Sequence, residues 1–394
     1  MFDEQAKSDS QLGSQRRMFL RTLASTAVGA AIPLQLIASK VDMPTPTEDS
    51  LERAQTLLRE HPMVDFHTHI GLWQTMGLPE SDAPLGQISR ESFARNIRQY
   101  REVGCNCLYM DALSDIVRTR IGQPGNKDRD FQGDEAWEDY LRQRRIMQEL
   151  LESEPIAMAL SVDDIARINA AGKLAVIFSS EGAHMLERDP TRLEQMYRDG
   201  LRRLQPLHYV SSLLGDNQTD PVVYGGLSDL GKELLMRADE LGILLDMAHA
   251  TQAVVEQTAE LVSKPLALSH TMVRYNSKRF GDYRNSRARW ITPDHARMIA
   301  ATGGVVGTFP IPAPYGVDSM AAFIEALKVM VDIVGIDHVA WSTDLVDAMR
   351  PVFLDDYANF TTLCALLLES GFGEEDVRKF VGGNALRVQQ AAVA

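Results

Sequence analysis

Two short apolar runs, "GILLDMAH" at 242–249 and "PLALSH" at 265–270, each end in a histidine. Uninterrupted apolar runs of this length suit strands buried on both faces, as in a parallel sheet flanked by helices. Six more runs of the same kind lie outward from this pair: "PMVDFH" (62–67), "GCNCLYM" (104–110), "KLAVIFSS" (173–180), "LRRLQPLH" (201–208), "GGVVGTF" (303–309) and "DHVAWSTD" (337–344). Amphipathic segments alternate with them, among them "SRESFARNIRQYREV", "SDLGKELLMRADEL", "TPDHARMIAAT" and "DSMAAFIEALKVMVDIVG", with Ser or Thr at N-cap positions and Gly near the ends. Eight successive strand–helix units predict an α/β fold, a single (β/α)8 TIM-like barrel, with no composition break to divide it. A polar stretch over 114–137 reads as an insertion near the substrate mouth, and "LRRLQPLH" is the least strand-like of the eight runs.

In such a barrel the polar residues that do chemistry collect at the C-terminal ends of the strands. Here the first strand ends in His67 and His69, the third in Glu181, the fourth in His208, the fifth in His249, the sixth in His270 and the eighth in Asp344. His67 and His69, two positions apart, face one side of a strand, so both reach the barrel mouth if either does. Taken singly, a histidine at a strand end is more often a hydrogen-bonded loop residue than a ligand, and His61, His184, His295 and His338 are read as structural or solvent-facing. Jointly, His67, His69, Glu181, His249 and His270 supply enough nitrogen and oxygen donors for two zinc-type ions sharing a carboxylate. Such a pair acidifies a bridging water and polarises a carbonyl, which is hydrolytic chemistry. Asp344 is placed to carry a proton to the leaving nitrogen, and His208 to meet the developing oxyanion. Either could instead be structural, Asp344 as a helix cap and His208 as a buried imidazole. Among the basic residues after His270, one arginine can clamp a substrate carboxylate through its planar fork.

Bulk composition narrows the partners. The 394 residues carry 40 Lys and Arg against 54 Asp and Glu, a net charge of −14, which disfavours nucleic acid. Cys105, Cys107 and Cys364 are too few for a disulfide framework and read as core. The N-terminal "SQRRMFLRTLASTAVGAAIPLQLIAS" holds a twin arginine, Arg16 and Arg17, before a short Ala-rich apolar stretch. Residues 1–39 are therefore expected to be a twin-arginine export signal, cleaved near Ser39 or Lys40, followed by a linker and N-terminal helix over 40–60 and the metallohydrolase domain over 61–394. That implies the translocation machinery as a transient partner and a periplasmic or secreted protein, anchored to the membrane if the signal stays attached.

Several longer stretches carry a family resemblance: "EGAHML", the run from "LHYVSSLLGDNQTDPVVYGGLSDLGKELL" to "LGILLDMAHAT", "KPLALSH", "GIDHVAWSTD" and "VRKFVGGNALRV". Through them the chain, from about Pro62 to Val388, resembles the membrane (renal) dipeptidase family of zinc peptidases, a branch of the amidohydrolase-like barrels. The resemblance implies a binuclear zinc dipeptidase, active on dipeptides including some with D- or dehydro C-terminal residues, and a possible homodimer. It implies His67 and Glu181 at one zinc, with Glu181 bridging to a second held by His249 and His270. His208 takes the place of the substrate-binding histidine and Asp344 that of the acid/base. Arg289 best matches the carboxylate-binding arginine, with Arg284 its rival. Two departures stand out. The usual His-x-Asp is here His-x-His, which removes one negative charge from the first metal. Trp290 replaces the usual Asn beside the clamp, and "HYVSS" lacks an asparagine often found there. The rival readings are hydrolysis of another small amide, lactam or lactone, and a non-catalytic binding barrel.

Overall fold

The computed structural model describes residues 44–71, 90–119, 124–273, 289–310, 317, 319–346, 353, 357 and 359–393. All eight expected strands form: β1 Met63–His69, β2 Cys105–Leu113, β3 Leu174–Glu181, β4 Leu201–Gln205, β5 Leu244–Leu245, β6 Ala267–Leu268, β7 Val305–Gly307 and β8 Val339–Ala340. Strands β1 to β5 pair in parallel in chain order, and β6, β7 and β8 form a second parallel sheet. Two seams join the sheets into a ring. At one, Met247 N–H donates to the Ala267 carbonyl (2.7 Å) beside a parallel bridge between Asp246 and Ala267. At the other, Phe66 N–H donates to Trp341 O (3.2 Å) and Asp344 N–H to His67 O (2.9 Å), and Leu345–Val346 continues the eighth stave alongside β1. The result is the closed (β/α)8 barrel expected from the run count. Ile156–Met158 adds a short strand beside the start of β3.

The helices begin where the chemistry of capping says they should. Ser228, Thr251, Thr292 and Ser319 each accept a backbone N–H from the first turn, satisfying a donor that the helix leaves unpaired. Inside the ring, Val64, Phe66, Cys107, Tyr109, Ala175, Ile177, Leu244, Ala267, Val305 and Ala340 make one apolar cluster. Ala385, Val388 and Ala392 of the C-terminal helix Asn384–Val393 join it and close the end of the barrel away from the strand C-termini. That helix is seated by Gly382, where a Cβ would stand 2.1 Å from the Pro62 carbonyl. Cys105, Cys107 and Cys364 are buried free thiols whose pKa burial raises, so they belong to the core as expected.

Candidate metal centre

Most of the donors come from strand ends, and local backbone features aim them. The pairing of β1 with β2 shifts register between Asp65 and Thr68, a bulge that turns the strand. Val64 and Phe66 thus join the interior cluster, while His67 and His69, beyond the irregularity, both reach the donor set at the mouth. His249 and Asp344 each take a positive φ, 65° and 50°, rare for residues with a Cβ. Each lies four residues beyond a strand end, Leu245 and Ala340 respectively, and both are held there by backbone bonds. Gln218 N–H donates to His249 O (2.8 Å), and Thr343 beside Asp344 is bound through N–H and hydroxyl to buried Asp65 (3.1 and 2.7 Å). Gly182, at φ 75°, makes the turn after Glu181; a Cβ there would stand 2.1 Å from Ser114 Oγ.

The structure brings together His67, His69, Glu181, His249, His270 and Asp344. His69 Nε2 is 3.0 Å from Glu181 Oε2 and 3.1 Å from Asp344 Oδ1; His67 Nε2 is 3.4 Å from Asp344 Oδ1 and 3.8 Å from Glu181 Oε1. On the other side, Glu181 Oε1 is 3.2 Å from His249 Nε2 and 3.5 Å from His270 Nε2, and those two nitrogens are 3.2 Å apart. Donors bonded to one tetrahedral ion at about 2.0–2.1 Å are separated by roughly 3.3 Å. The separations of the histidine nitrogens from Glu181 and Asp344, 3.0–3.8 Å, bracket that length, and Glu181 belongs to both groups of donors. The buried atoms His67 Nε2 and Glu181 Oε2 make no hydrogen bond, which fits groups shaped to hold a cation rather than to satisfy one another. The donor set therefore fits divalent metal, and Glu181 is common to both groups of donors.

The electrostatics of Glu181, Asp344, His249 and His270 agree with that geometry. Burial opposes ionisation of Glu181, but the imidazoles of His208 and His69 outweigh it and hold the carboxyl well below its ordinary value. Asp344 is likewise pushed down, against burial, by His270, His67 and His69. Burial, with the Arg289 charge, keeps His249 well below the usual imidazole value, and burial with His67 does the same to His270. Both are neutral bases at pH 7, as ligation requires. His69 is opposed by burial but raised well above the usual value by Glu181 and Asp344.

His208 lies at the edge of the group, its Nε2 3.5 Å from Glu181 Oε1. Its Nδ1 is 2.6 Å from Asp115, whose other oxygen accepts Val210 N–H (2.8 Å), so the far ring nitrogen is turned toward the mouth. Arg289 is buried near the same rim and donates to Gln218 Oε1 (2.6 Å). Arg284, with residues 274–288, lies outside the described residues, as do 1–43 with the expected export signal. His184 and His295 are buried apart from the donors, and His338 lies 2.7 Å from the Gly304 carbonyl through Nδ1. Asp111, Asp115, Asp246, Arg203 and Gln218 are site residues that the sequence reading passed over. Asp111 and Asp115 stand at the end of β2, where the strand-end rule applies as it does to the other staves.

The family model described as membrane dipeptidase (peptidase family M19) matches residues 51–394. Dipeptidase verJ of Clonostachys rogersoniana is 24% identical over 367 residues, 87% of each chain. The crystal structure of the probable dipeptidase PvdM from Pseudomonas aeruginosa superposes with a TM-score of 0.69 at 19% identity, covering 88% of this chain and 98% of that one. A metallopeptidase from Rhodobacter sphaeroides, liganded with a phosphinate mimic of the dipeptide L-Ala-D-Ala, gives 0.68 at 18% identity, covering 84% and 99%. With its family matched over nearly its whole length, the chain belongs to the membrane dipeptidase family, peptidase family M19, and is a metal-dependent hydrolase.

Proposed function

We propose that this protein is a binuclear metallodipeptidase, exported by its twin-arginine segment, that cleaves the amide of a dipeptide, including dipeptides with a D- or dehydro C-terminal residue. The observation that carries the reading is the pair of donor groups sharing Glu181, with histidine–carboxylate and His249–His270 separations of 3.0–3.8 Å. His67, His69, Glu181 and Asp344 surround the first position; Glu181, His249 and His270 surround the second. Two zinc ions held there would supply an acidified water and a polarised carbonyl. Asp344, ionised and beside the first position, takes the proton of the attacking water and passes it to the leaving nitrogen. His208, oriented by Asp115, presents Nε2–H to the oxygen on which charge develops. Arg289 releases Gln218 and binds the substrate's terminal carboxylate through its fork. The phosphinate dipeptide mimic bound by the Rhodobacter sphaeroides relative supports L,D-dipeptides as the first substrates to try.

The Arg289–Gln218 bond also favours a second reading, in which the arginine is structural and the substrate is a small amide, lactam or lactone without a carboxylate. The deciding experiment is metal analysis of the purified protein together with turnover of L,L- and L,D-dipeptides, N-acyl amino acids, lactams and lactones. Two equivalents of metal with dipeptide cleavage are expected. Turnover of lactones or acylated compounds alone would establish the second reading, and less than about one equivalent with no hydrolysis would leave a binding barrel.

A further inference from the structure

Below the donors lies a charged layer that none of these steps uses. Arg203, in the middle of β4, is wholly buried, as are Asp246, just past β5, and Asp111 on β2. Arg203 Nη2 lies 3.1 Å from both oxygens of Asp111, and Nε lies 3.4 Å from Asp246 Oδ2. The guanidinium also donates to the Phe66 carbonyl and to Ser179 Oγ, and sits over the Tyr109 ring at 4.6 Å. Three ions this deep cost several kcal/mol each in desolvation, and an apolar trio would pack at least as stably. Stability is therefore a poor account of them.

Their outward contacts give a better one. Asp111 Oδ2 is 3.2 Å from His67 Nδ1, the ring nitrogen facing away from the donor cluster. Asp246 Oδ1 accepts the N–H groups of Ala248 (3.1 Å) and Ser269 (2.8 Å), the residues immediately before His249 and His270. Each carboxylate thus serves one half of the centre, and Arg203 lies between them. We infer that Asp111, Arg203 and Asp246 are positioning residues for the two metals: Asp111 orients His67 toward the first, Asp246 fixes the paired histidines of the second, and Arg203 holds the carboxylates in register. The inference rests on the two-metal reading above.

The proton count fits. With Nε2 given to an ion, neutral His67 keeps its hydrogen on Nδ1 and donates it to Asp111. Arg203 Nη2, 2.8 Å from the same nitrogen, then directs its hydrogens to Asp111 and Ser179 Oγ, while Nη1 serves the Phe66 carbonyl. Charge fits as well. The layer carries a net single negative charge, which with Glu181 and Asp344 makes three. Two divalent ions and one hydroxide bring the centre to neutrality, although His69 contributes no charge of its own.

The test is chelator competition on the zinc and cobalt forms of the full chain, with the visible spectrum of the cobalt form and thermal unfolding of the metal-free form recorded beside it. In Asp111→Asn one of the two metal equivalents should weaken about 10–100-fold while the other holds, and in Asp246→Asn the other should weaken. Asp111→Glu should recover part of the first loss. A purely structural role would lower the unfolding temperature of the metal-free variants and leave both affinities and the cobalt spectrum as in the wild type, which overturns the inference. If neither Asn variant folds, the wild-type zinc form labelled with [15N]histidine decides. A strongly downfield, exchange-protected Nδ1–H proton assigned to His67 is expected in addition to the one His208 gives to Asp115, and the absence of the His67 proton overturns the inference. Wild-type protein that takes up no metal would sink the two-metal reading together with this one, whereas two tight metals with unaltered variants would sink this one alone.

Discussion

His69 stands 3.0 Å from one carboxylate and 3.1 Å from another, in a family whose usual residue at that place is itself a carboxylate. Restoring the charge with His69→Asp adds an anionic ligand, which makes the ions poorer acids toward water. The variant should keep two metals, and the acidic limb of its kcat/KM profile should move to higher pH; an unchanged profile and metal preference would mean His69 is no ligand. Asp344→Asn keeps shape but not basicity. It is expected to lower kcat by about 10²–10⁴ with both metals retained, measured by steady-state kinetics beside metal analysis. These residues were legible in the sequence because each stands at the C-terminal end of an apolar run. Asp111 and Asp115 satisfy the same rule on β2 but sit among other polar residues in "YMDALSD", where no single one stands out. Arg203 was hidden for the opposite reason. A charge in mid-strand counts against a strand unless its partners are known, and Asp111 and Asp246 lie far from it in sequence.

Between strands, the connection after β4 shows how an element carries function without touching the reaction. Asp216 accepts N–H groups of Val223 (2.8 Å), Tyr224 (3.0 Å) and Gly226 (2.9 Å), pinching the segment between the bridged residues Gly215 and Leu227 into a fixed loop. The same loop brings Gln218 to Arg289. Burial opposes ionisation of Asp216, but its backbone donors outweigh it and lower the pKa. A depressed carboxylate stabilises the fold above its ordinary pKa, and that contribution disappears as pH falls through the folded value. Asp216→Ala should therefore raise KM more than it lowers kcat, open the segment near Tyr224 to limited proteolysis at pH 7, and flatten the acid limb of the stability profile; equal proteolysis in both proteins would refute it. Gly182→Ala tests the turn after Glu181, where left-handed backbone and the close Ser114 hydroxyl both forbid a Cβ. A loss on the order of 1–3 kcal/mol is expected in denaturant unfolding. Elements were readable where apolar period and capping residues agreed, as at Ser228 and Thr292. The bulge in β1 was not, since register depends on a neighbouring strand.

For the molecule as a whole, removing metal should lower the unfolding temperature, because a ligand bound only by the native state adds about 4 kcal/mol at a thousand times its Kd. Differential scanning calorimetry with and without chelator measures this. Export is a separate property, and replacing Arg16 and Arg17 by lysine should retain the protein in the cytoplasm if residues 1–39 direct it outward; equal amounts outside would discard that segment's proposed role. The barrel itself was legible from the run of eight strands, but the way it closes was not. The ring consists of a five-stave and a three-stave arc, and His249 and His270 hang from opposite sides of the narrower join, where Met247 N–H meets Ala267 O. An ion gripped by both histidines would act there as a rivet through two plates, so that opening the join and releasing the ion become one event. Amide exchange at Met247 should slow markedly on metal loading, while exchange inside either arc, at Val176 for instance, should change little. The catalytic centre would then double as the fastening that keeps the barrel round.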